Sequence, residues 1–556
     1  MNNPDFGGSS NAVRRGPARR CWSIVLVLLL LAPACQPAGA AVIPTILDPS
    51  FGSRGLTITD IGGPVHEDEP FTLIADLQGR YVAPGKAFNP ATGTFDFAIL
   101  RYTSEGILDP SFSGDGIALT DFGAYEEAQG IVEQADGKLV AGGFTKTHAV
   151  DGDFALARYN TDGSLDPSFG DGGRVTTDFR GALDQMLTLA IQADGKVVAA
   201  GFSAEPAVGS RYDLALARYN PDGSLDPSFG AGGKVITDFA GGADYAFRML
   251  IQPDGRIVCF GATVDPATGN QNLLVARYNP DGSLDPTFGP AEHPGWVATD
   301  FYGGADYGFT GVHLPGGELL VGGLAYNPAS DSSDMVLVRY LTDGSVDESF
   351  ASDDTPGFVT VDFFGDYDQI LALAIQPDGK ILAAGHAKHP VRHFDFAFAR
   401  FTPDGRLDPS FGTGGKFWID VFGGADGLHG LVLQPDGKAV AAGDSYNPAT
   451  QGDDFVLVRL LVADLDWAIA AAEQEEDQAY ASPAAQGRLL EALAAANGDL
   501  ADGRTVAALD RLEQLRPRMD GCGRGDRSDD WLVDCAAQYR IRALVEQVIY
   551  KLGGGR

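Results

Sequence analysis

Pairs of acidic residues six positions apart recur along the chain, each inside a short loop rich in glycine. Two of these loops read DFAGGAD and DFYGGAD. Hard carboxylate oxygens in flexible loops are the ligands that calcium prefers, so the pairs predict calcium sites. The pairs are Asp238 with Asp244, Asp300 with Asp306, Asp362 with Asp368, and Asp420 with Asp426. Asp178 and Asp184 share the spacing, and Asp121, Glu126 and Glu127 form a related cluster.

A structural explanation competes with the cation site. The first aspartate of each pair can cap its own turn through backbone N–H groups, while the second is solvated. Recurrence in every repeat is also what a folding requirement produces, so the structural turn is the favoured interpretation. The alternative is a site for calcium or for a polyamine.

Three histidines gather in one variable loop. His386, His389 and His393, together with Asp395, are ligand types that bind transition metals. No helix aligns them, and short motifs of this kind often occur without a metal. The spacing is compatible with a transition-metal site and with a solvated loop.

The phrase YNPDGSLDPSFG at Tyr219–Gly230, which recurs almost unchanged, contains the tail of a calcium loop. However, the first ligand position falls on Arg218, and an arginine recurs there in every repeat, which opposes cation binding. We therefore interpret the phrase as a hinge, in which Asp222 begins a turn and apolar side chains anchor the connection. Asp226 and its equivalents are expected to accept bidentate hydrogen bonds from the arginines. The aspartates are Asp48, Asp109, Asp166, Asp226, Asp285, Asp347 and Asp408, and the arginines are Arg101, Arg158, Arg218, Arg277, Arg339, Arg400 and Arg459.

These motifs belong to a repeat of about 60 residues, and repeats of this length are typical of solenoids and propellers. Segments like LDPSF start at Leu47, Leu108, Leu165, Leu225, Leu284, Val346 and Leu407. Between them, four short runs of strand-forming residues alternate with Asp-Gly and Gly-Gly turns, which predicts a four-stranded antiparallel meander. We therefore predict an all-β, seven-bladed β-propeller over residues 41–462.

The ends of the repeats predict how the ring closes. One strand, at residues 55–60, precedes the first glycine-rich loop, and three strands at 428–459 follow the last one. The first strand can therefore complete the last blade and leave no strand edge exposed. Because strand direction alternates, the glycine-rich loops and the variable loops share one face. Loops on a rigid scaffold are where binding usually resides.

The unit that ends in ARYNPDGSLDPSFG, preceded by text like PDGKVVAAG, resembles the bacterial delta-60 repeat. The resemblance covers about residues 47–460, and several positions of the motif recur together in every unit. It implies a β-propeller and implies no common activity.

The first 40 residues have the pattern of a secretory signal. Arg14, Arg15, Arg19 and Arg20 give a basic start, the apolar run at 24–32 is too short to span a bilayer, and AGA at 38–40 fits a cleavage site. We therefore predict a secreted or periplasmic protein whose mature chain has no transmembrane segment. Lipid anchoring at Cys35 and export by a twin-arginine route are the alternatives.

Net charge and cysteine content indicate which partners the protein can bind and which cysteines can form a disulfide. A formal net charge of −35 repels nucleic acid and attracts cations. Cys259 lies in an apolar run and is expected to be a buried thiol. Cys522 and Cys535 are expected to form a disulfide in an exported chain.

From about residue 463 the sequence changes to helical patterns, which predicts a helical module over residues 463–556. Ser482 and Pro483 predict a helix start, and Gly498 predicts its end. A final helix is expected to begin at Asp529 or Asp530. Its predicted apolar stripe comprises Trp531, Cys535, Tyr539, Leu544, Val548 and Leu552.

The function predicted from these patterns is a monomeric binding scaffold that recognises a protein, a polysaccharide or an ion through its variable loops. Catalysis is not expected, because no nucleophile, phosphate-binding loop or unique acid–base pair stands out from the repeats. Two other classes stay open. One is a cation-assisted lyase or hydrolase of polysaccharide, and the other is a structural component of the cell surface.

Overall fold

The computed structural model describes residues 46–148, 151–206, 211–239, 241–351, 355–391, 393–475, 479–519, 531–532 and 534–553. Within these ranges the chain forms seven antiparallel sheets, followed by four α-helices. The prediction of a seven-bladed propeller is confirmed. The secretory signal predicted at residues 1–40 lies outside the described residues and stays a prediction.

Each sheet is one blade, and its strands follow each other as a meander. Blade 1 contains β2 (Glu69–Pro70), β3 (Ile74–Ala75), β4 (Tyr81–Asn89), β5 (Thr94–Tyr102) and β6 (Ile117–Thr120). Blades 2 and 3 contain β7 (Tyr125–Glu133), β8 (Leu139–His148), β9 (Asp151–Tyr159), β10 (Arg174–Thr177), β11 (Asp184–Ile191), β12 (Val197–Ala204), β13 (Tyr212–Tyr219) and β14 (Lys234–Thr237). Blades 4 and 5 contain β15 (Asp244–Ile251), β16 (Ile257–Val264), β17 (Gln271–Tyr278), β18 (Trp296–Thr299), β19 (Asp306–His313), β20 (Leu319–Asn327), β21 (Ser332–Tyr340) and β22 (Phe358–Val361). Blades 6 and 7 contain β23 (Asp368–Ile375), β24 (Ile381–Lys388), β25 (Phe394–Phe401), β26 (Lys416–Ile419), β27 (Asp426–Leu433), β28 (Lys438–Asn447), β29 (Gly452–Leu461) and β1 (Leu56–Thr59).

The core lies between blades. The second strand of a blade, such as β12 with the sequence VVAAGFSA, is buried along its whole length because a neighbouring blade covers each face. Its sequence is therefore continuously apolar or small, as in a sheet covered on both sides.

The ring is closed by the two ends of the repeat region. Strand β1 pairs antiparallel with β29, with Leu56 opposite Val458 and Thr59 opposite Phe455. The predicted completion of the last blade by the first strand is thus confirmed, and β29 is paired on both sides. A ring closed in this way avoids an open strand edge in its last blade.

A buried arginine joins each blade to the next. Arg218 donates from Nε to Asp226 Oδ2 at 2.8 Å and from Nη2 to Ser228 Oγ at 3.1 Å. Its Nη1 donates to the carbonyl of Pro280, which belongs to the turn of the following repeat. The guanidinium also lies over the ring of Phe229, 4.7 Å from its centroid. The predicted bidentate contact with Asp226 is therefore wrong, because the other guanidinium nitrogens reach a hydroxyl and a neighbouring blade.

The same contact recurs round the whole ring. The carbonyls that accept from Nη1 belong to Thr161, Pro221, Pro280, Thr342, Pro403, Val462 and Ser104, for Arg101, Arg158, Arg218, Arg277, Arg339, Arg400 and Arg459 respectively. Hydrogen bonds from Ser228, assisted by Lys196 and Arg218, hold the pKa of Asp226 well below its usual range although burial opposes them. The phrase YNPDGSLDPSFG is thus a hinge, as predicted, and its aspartate is fully used in the fold.

The helices pack directly on the propeller. They are α1 (Leu465–Gln474), α2 (Pro483–Ala501), α3 (Thr505–Leu515) and α4 (Cys535–Gly553). Leu489, Leu544 and Val548 belong to one core with Leu382 and Val458 of the last two blades. No helix in the described part of the chain is long and apolar enough to cross a membrane.

Two details of the helices differ from prediction. Ser482 caps α2, as expected, but the helix continues past Gly498 and ends at Ala501, followed by Gly503 with φ of +73°. Asp534 caps α4 by accepting from the N–H of Ala537 at 2.8 Å, so the helix begins later than predicted. Tyr539 is 72% exposed and does not belong to the apolar stripe. Leu544 and Val548 of the predicted stripe are buried, as expected, and Ala537, Ile541 and Val545 complete the buried face.

Replacing the bridging arginine should destabilise the ring. We expect Arg218→Ala to lower the free energy of unfolding by about 3–5 kcal/mol, because it leaves a buried carboxylate without its main partner. Urea denaturation followed by circular dichroism measures the change. The matched control is Arg406→Ala, at an arginine whose side chain is 57% exposed, where a change within about 0.5 kcal/mol is expected. Equal effects of the two substitutions would contradict the structural role of Arg218.

Candidate functional site

The acidic pairs of the glycine-rich loops lie at the junctions between blades. Asp238 follows the last strand of one blade, and its Oδ1 accepts from the N–H of Gly241 at 2.6 Å. Asp244 begins the first strand of the next blade, and its Oδ2 accepts from the N–H of Phe239 at 2.9 Å. The first acid therefore caps its turn, as the structural explanation predicted. The second acid is fully buried, so the expectation that it is solvated is wrong.

A third acid, which the sequence analysis did not group with the pair, joins it at several junctions. It comes from the third strand of the preceding blade, just before the apolar run of that strand. In each group the three residues offer oxygen atoms within 4.8 Å of one another, so the group could hold a metal ion. The groups among the described residues are Asp96–Asp121–Glu126, Asp153–Asp178–Asp184, Asp213–Asp238–Asp244, Asp334–Asp362–Asp368 and Asp395–Asp420–Asp426.

Burial and mutual repulsion make the innermost carboxyl of each junction a weak acid. Burial, followed by the charges of Asp362 and Asp334, raises the pKa of Asp368 to about 7. Burial is likewise the largest cause at the equivalent residues. Their pKa is raised to about 6 for Asp184 and Asp244, and to about 7 for Asp306, Asp426 and Glu126.

The junctions are not chemically equal. At the Asp213 junction, Arg180 Nη1 lies 2.7 Å from Asp213 Oδ2, and Arg211 Nη2 lies 2.5 Å from Asp238 Oδ2. Asp300 and Asp306 face a junction where Asn272 occupies the repeat position of the third acid. Of the predicted calcium pairs, Asp238 with Asp244 thus has arginines beside it, and Asp300 with Asp306 has an amide at the place of the third acid.

The three histidines of the variable loop have separate environments. His386 Nε2 lies 2.7 Å from Gln369 Nε2, while the ring of His389 packs 4.9 Å from that of Phe364. His393 is exposed. Within the described residues, the groups of three potential metal ligands include Asp395 but none of these histidines.

The innermost strands of the blades surround the axis of the ring. The first strands β7, β11, β15, β19, β23 and β27 pack side by side round this axis. Arg248 reaches across from blade 4, donating from Nη2 to the carbonyl of Phe71 at 2.8 Å and from Nη1 to that of Leu187 at 3.2 Å. Burial lowers the pKa of Arg248 to about 10. The side chain therefore links blades 1, 3 and 4 across the axis of the ring.

On the face that carries the glycine-rich loops, the first strands begin with residues that differ from blade to blade. We name this ring of residues the axial mouth and define it by the first and third residues after the buried acid of each junction. Round the ring these are Glu69 and Phe71, Glu127 and Gln129, Gln185 and Leu187, Tyr245 and Phe247, Tyr307 and Phe309, Gln369 and Leu371, and Gly427 and His429. The residue between the two is buried in every blade, so alternation places the first residue of each pair on the opposite side of the strand. In blades 2 to 7 the second residue of the pair is the extra residue of a β-bulge and has no partner across the strands.

One side of the axial mouth is charged. Lys86 Nζ lies 3.3 Å from Glu69 Oε1, 3.6 Å from Glu67 Oε2 and 3.9 Å from Glu127 Oε1. The carboxylates outweigh burial and raise the pKa of Lys86. Burial, together with the neighbouring carboxylates, raises the pKa of Glu69 although Lys86 opposes it. Three carboxylates thus share one ammonium group.

Next to this charged side lies a histidine–aspartate pair. His429 Nε2 is 2.8 Å from Asp444 Oδ1. Gly427 provides the space for the pair, since a Cβ at this position would lie only 2.9 Å from the same aspartate oxygen.

The opposite side of the axial mouth is aromatic. Tyr245 and Phe247 stack with centroids 5.7 Å apart, and Tyr307 and Phe309 stack at 5.6 Å. Phe247 and Phe309, 5.1 Å apart, join the two pairs across the blade boundary. Tyr245, Phe247 and Tyr307 are half-buried, whereas Phe309 is buried. The sequence analysis missed the axial mouth because it compared loops. A comparison of the first strands would have found it, because two positions in each of these strands differ from repeat to repeat while the neighbouring positions stay alike.

Five segments of the chain match the family model of a domain of unknown function, DUF5122, described as a beta-propeller. They are residues 134–169, 192–229, 252–288, 315–350 and 376–411. The chain is a β-propeller repeat protein. No curated protein matches it. The name delta-60 repeat stays a resemblance.

Solved structures share the propeller fold at low similarity. A polysaccharide lyase, ulvan lyase, has a TM-score of 0.39 and 9% identity, covering 72% of this chain and 95% of its own. An α-L-arabinofuranosidase from Fusarium graminearum has a TM-score of 0.36 and 11% identity, covering 59% and 92%. A protein of unknown function from Bacteroides caccae has a TM-score of 0.29 and 11% identity, covering 62% and 95%. At these values no activity is transferred to the β-propeller repeat protein.

The raised pKa values of the junction carboxyls predict how stability depends on pH. Their folded pKa values of about 6 to 7 exceed the ordinary value near 4, so the folded protein binds protons more tightly than the unfolded chain. Their contribution to stability is complete below about pH 4 and is lost as the pH rises through 6 and 7. We expect the thermal midpoint, measured with a chelator present, to fall between pH 5 and pH 8.

A substitution tests the assignment of this pH dependence. Asp368→Asn should raise the free energy of unfolding at pH 8 by on the order of 2 kcal/mol and leave it almost unchanged at pH 5, because it removes a buried charge and keeps the acceptor for Phe363. Asp254→Asn, at an exposed turn, is the matched control and should keep the wild-type dependence. If Asp368→Asn destabilised the protein equally at both pH values, the repulsion at the junction would be refuted.

Proposed function

We propose that the protein is an exported binding scaffold that recognises a polyhydroxylated ligand, such as a carbohydrate, at the axial mouth. The observation that carries this proposal is the location of the sequence differences between repeats. Residues that build the blades are nearly the same in each repeat, whereas the first residue of each axial-mouth pair is glutamate, glutamine, tyrosine or glycine, depending on the blade. A fold that needed only ring closure would have no use for this variety.

The chemistry of the axial mouth supports a polyhydroxylated ligand. Carboxylates and amides, such as Glu127 and Gln185, offer acceptors and donors for hydroxyl groups, and Lys86 offers a further donor. The rings of Tyr245 and Tyr307 offer flat apolar surfaces for the C–H faces of a sugar. A few fixed polar groups beside aromatic surfaces are the usual composition of a small-molecule site.

The variable loops of the same face would extend this site. They join the second and third strands of each blade, on the same face as the axial mouth, so a ligand longer than the mouth would reach them. We propose a monomeric propeller that acts outside the cytoplasm, in accord with the secretory pattern of residues 1–40.

A polysaccharide-cleaving activity is the second candidate function. The specific observation in its favour is the pair His429–Asp444 beside Glu69, whose pKa is raised. An imidazole oriented by a carboxylate can accept a proton, and a carboxyl of raised pKa can donate one. Release of reducing or unsaturated ends from a bound polysaccharide would distinguish this activity from recognition alone.

Calcium is a separate proposal for the same face. The glycine-rich loops predict it, and groups of three carboxylates could hold a metal. In this proposal the ion stabilises the junctions between blades and does not contact the ligand at the axial mouth.

Substitutions at the axial mouth test the recognition proposal. A panel of neutral, uronate-containing and sulfated oligosaccharides is screened for binding, and the affinity of the best binder is measured by calorimetry. We expect the double substitution Glu69→Gln and Glu127→Gln, and separately Tyr307→Ala, to weaken binding by about tenfold or more, since each removes direct contacts.

The control for this experiment is Glu105→Gln, an exposed glutamate in a turn on the opposite face, which should bind like the wild type. Thermal midpoints of all variants identify any loss through unfolding. The proposal fails if no oligosaccharide of the panel binds, or if the variants at the axial mouth bind as tightly as the control.

A further inference from the structure

Two junctions combine three carboxylates, a fully buried carboxylate oxygen without a hydrogen-bond partner, and no arginine beside the group. One consists of Asp96, Asp121 and Glu126, and the other of Asp334, Asp362 and Asp368. We propose that each of these two junctions holds one divalent cation, calcium by the type of its ligands. This inference rests on the calcium proposal above and is independent of ligand recognition at the axial mouth.

The first reason is an unpartnered oxygen at Asp368. This side chain is fully buried, and its Oδ2 accepts from the N–H of Phe363 at 2.6 Å. Its Oδ1 is buried and has no hydrogen-bond partner. At the equivalent place Asp244 Oδ1 accepts from Thr263 Oγ1 at 2.6 Å. The residue paired with Asp368 across the strands is Ala387, which has no hydroxyl to offer.

Glu126 leaves an oxygen unpartnered for a different reason. It is also fully buried, and its Oε1 accepts both from the N–H of Ala124 at 2.7 Å and from Thr145 Oγ1 at 3.2 Å. The side chain is one methylene longer than aspartate, and its Oε2 has no hydrogen-bond partner. Buried carboxylate oxygens are normally paired, so an unpaired one within a group of three acids indicates a missing partner.

The second reason is the absence of a compensating basic side chain at either carboxylate group. No ion pair joins the six carboxylates to a lysine or arginine, among the residues that the structure describes. The nearest basic contact is Lys416, whose Nζ donates to the backbone carbonyl of Asp362 at 2.8 Å rather than to a carboxylate. Three carboxylates within 4.8 Å repel each other strongly unless protons or a cation neutralise them.

The other junctions show how the same repulsion is relieved without a metal. Arg180 and Arg211 neutralise the Asp213 junction, and Asn272 replaces the third acid beside Asp306. Asp184 also leaves its buried Oδ1 without a hydrogen-bond partner, but here an arginine lies beside the junction: Arg180 donates from Nε at 3.2 Å to Oγ of Ser203, the residue opposite Asp184 across the strands. Positive charge or an amide therefore occupies these places.

The ligands available at the two proposed junctions are all oxygens. Beside the carboxylates, the hydroxyls of Thr92 and Thr94 lie 3.2 Å from Asp96 Oδ1, and the hydroxyl of Ser332 lies 3.2 Å from Asp334 Oδ1. Neither group contains sulfur or imidazole. Hard oxygen ligands in flexible loops favour calcium over zinc or copper.

The stoichiometry of calcium binding tests the inference. The whole chain is freed of metal with a chelator, dialysed, and titrated with calcium chloride by calorimetry at physiological salt, with metal analysis of the dialysed complex as a second measurement. We expect two calcium ions per chain. Asp334→Asn, which copies the natural Asn272, should leave one ion, Asp96→Asn should leave one, and the double variant should bind none.

Asp213→Asn is the matched control, because it alters the equivalent residue of the arginine-neutralised junction, and two ions should still bind. Circular dichroism in the chelator shows that each variant is folded. Two ions lost one at a time support the inference. If calcium binds but survives the double substitution, or is lost in the control, the assignment of the two junctions is wrong while the calcium proposal stands. If the wild type binds no calcium, both fall, whereas oligosaccharide binding at the axial mouth is unaffected.

Discussion

The ring depends on a guanidinium group that occupies the same place in each of the seven blades and is buried in all of them except at Arg339, where it is half-buried. The group holds an aspartate and a hydroxyl of its own repeat, covers a phenylalanine ring, and donates to a turn of the next repeat. A planar donor with five N–H groups can satisfy all these partners at once, which a lysine could not. The contact fixes both the local hinge and the angle between blades. The repeated phrase YNPDGSLDPSFG contains the aspartate, the hydroxyl, the phenylalanine and the turn carbonyl that contact this guanidinium group.

Once the blades are joined in this way, the residues at other positions can differ from one blade to the next. The faces between blades still require small and branched apolar residues, because each middle strand is covered on both sides. The positions of the axial mouth do not need small or branched apolar residues. They carry carboxylates, amides and aromatic rings. The C-terminal helices add to the same framework. Their core is continuous with blades 6 and 7, and Asp464, which caps α1, also accepts from Lys380 and Arg400 of blade 6.

The fold could be predicted almost completely, and the candidate sites only in part. Repetition reveals the number of blades and the closure by β1, because a pattern written seven times averages out its local irregularities. It also hides what is not repeated. Glu69 and Lys86 come together through the pairing of β2 with β4, and no spacing in the sequence indicates their distance from Glu127. The third acids were overlooked because they lie in strands, far in sequence from the loops that they approach. Tyr539 was assigned to the wrong face because a helical stripe in a short amphipathic segment can be drawn in more than one register.

The seventh copy of the arginine contact joins residues from opposite ends of the repeat region. Arg459 donates to Asp48 and to the carbonyl of Ser104, while β1 lies against β29. The last blade therefore cannot form during synthesis until nearly the whole propeller has been translated. Its first strand in the sequence, β1, stays unpaired until more than 350 further residues have been added. A chain released early keeps an open sheet edge and a cluster of orphaned charges. The chain can thus reach its native state only after the whole repeat region has been translated.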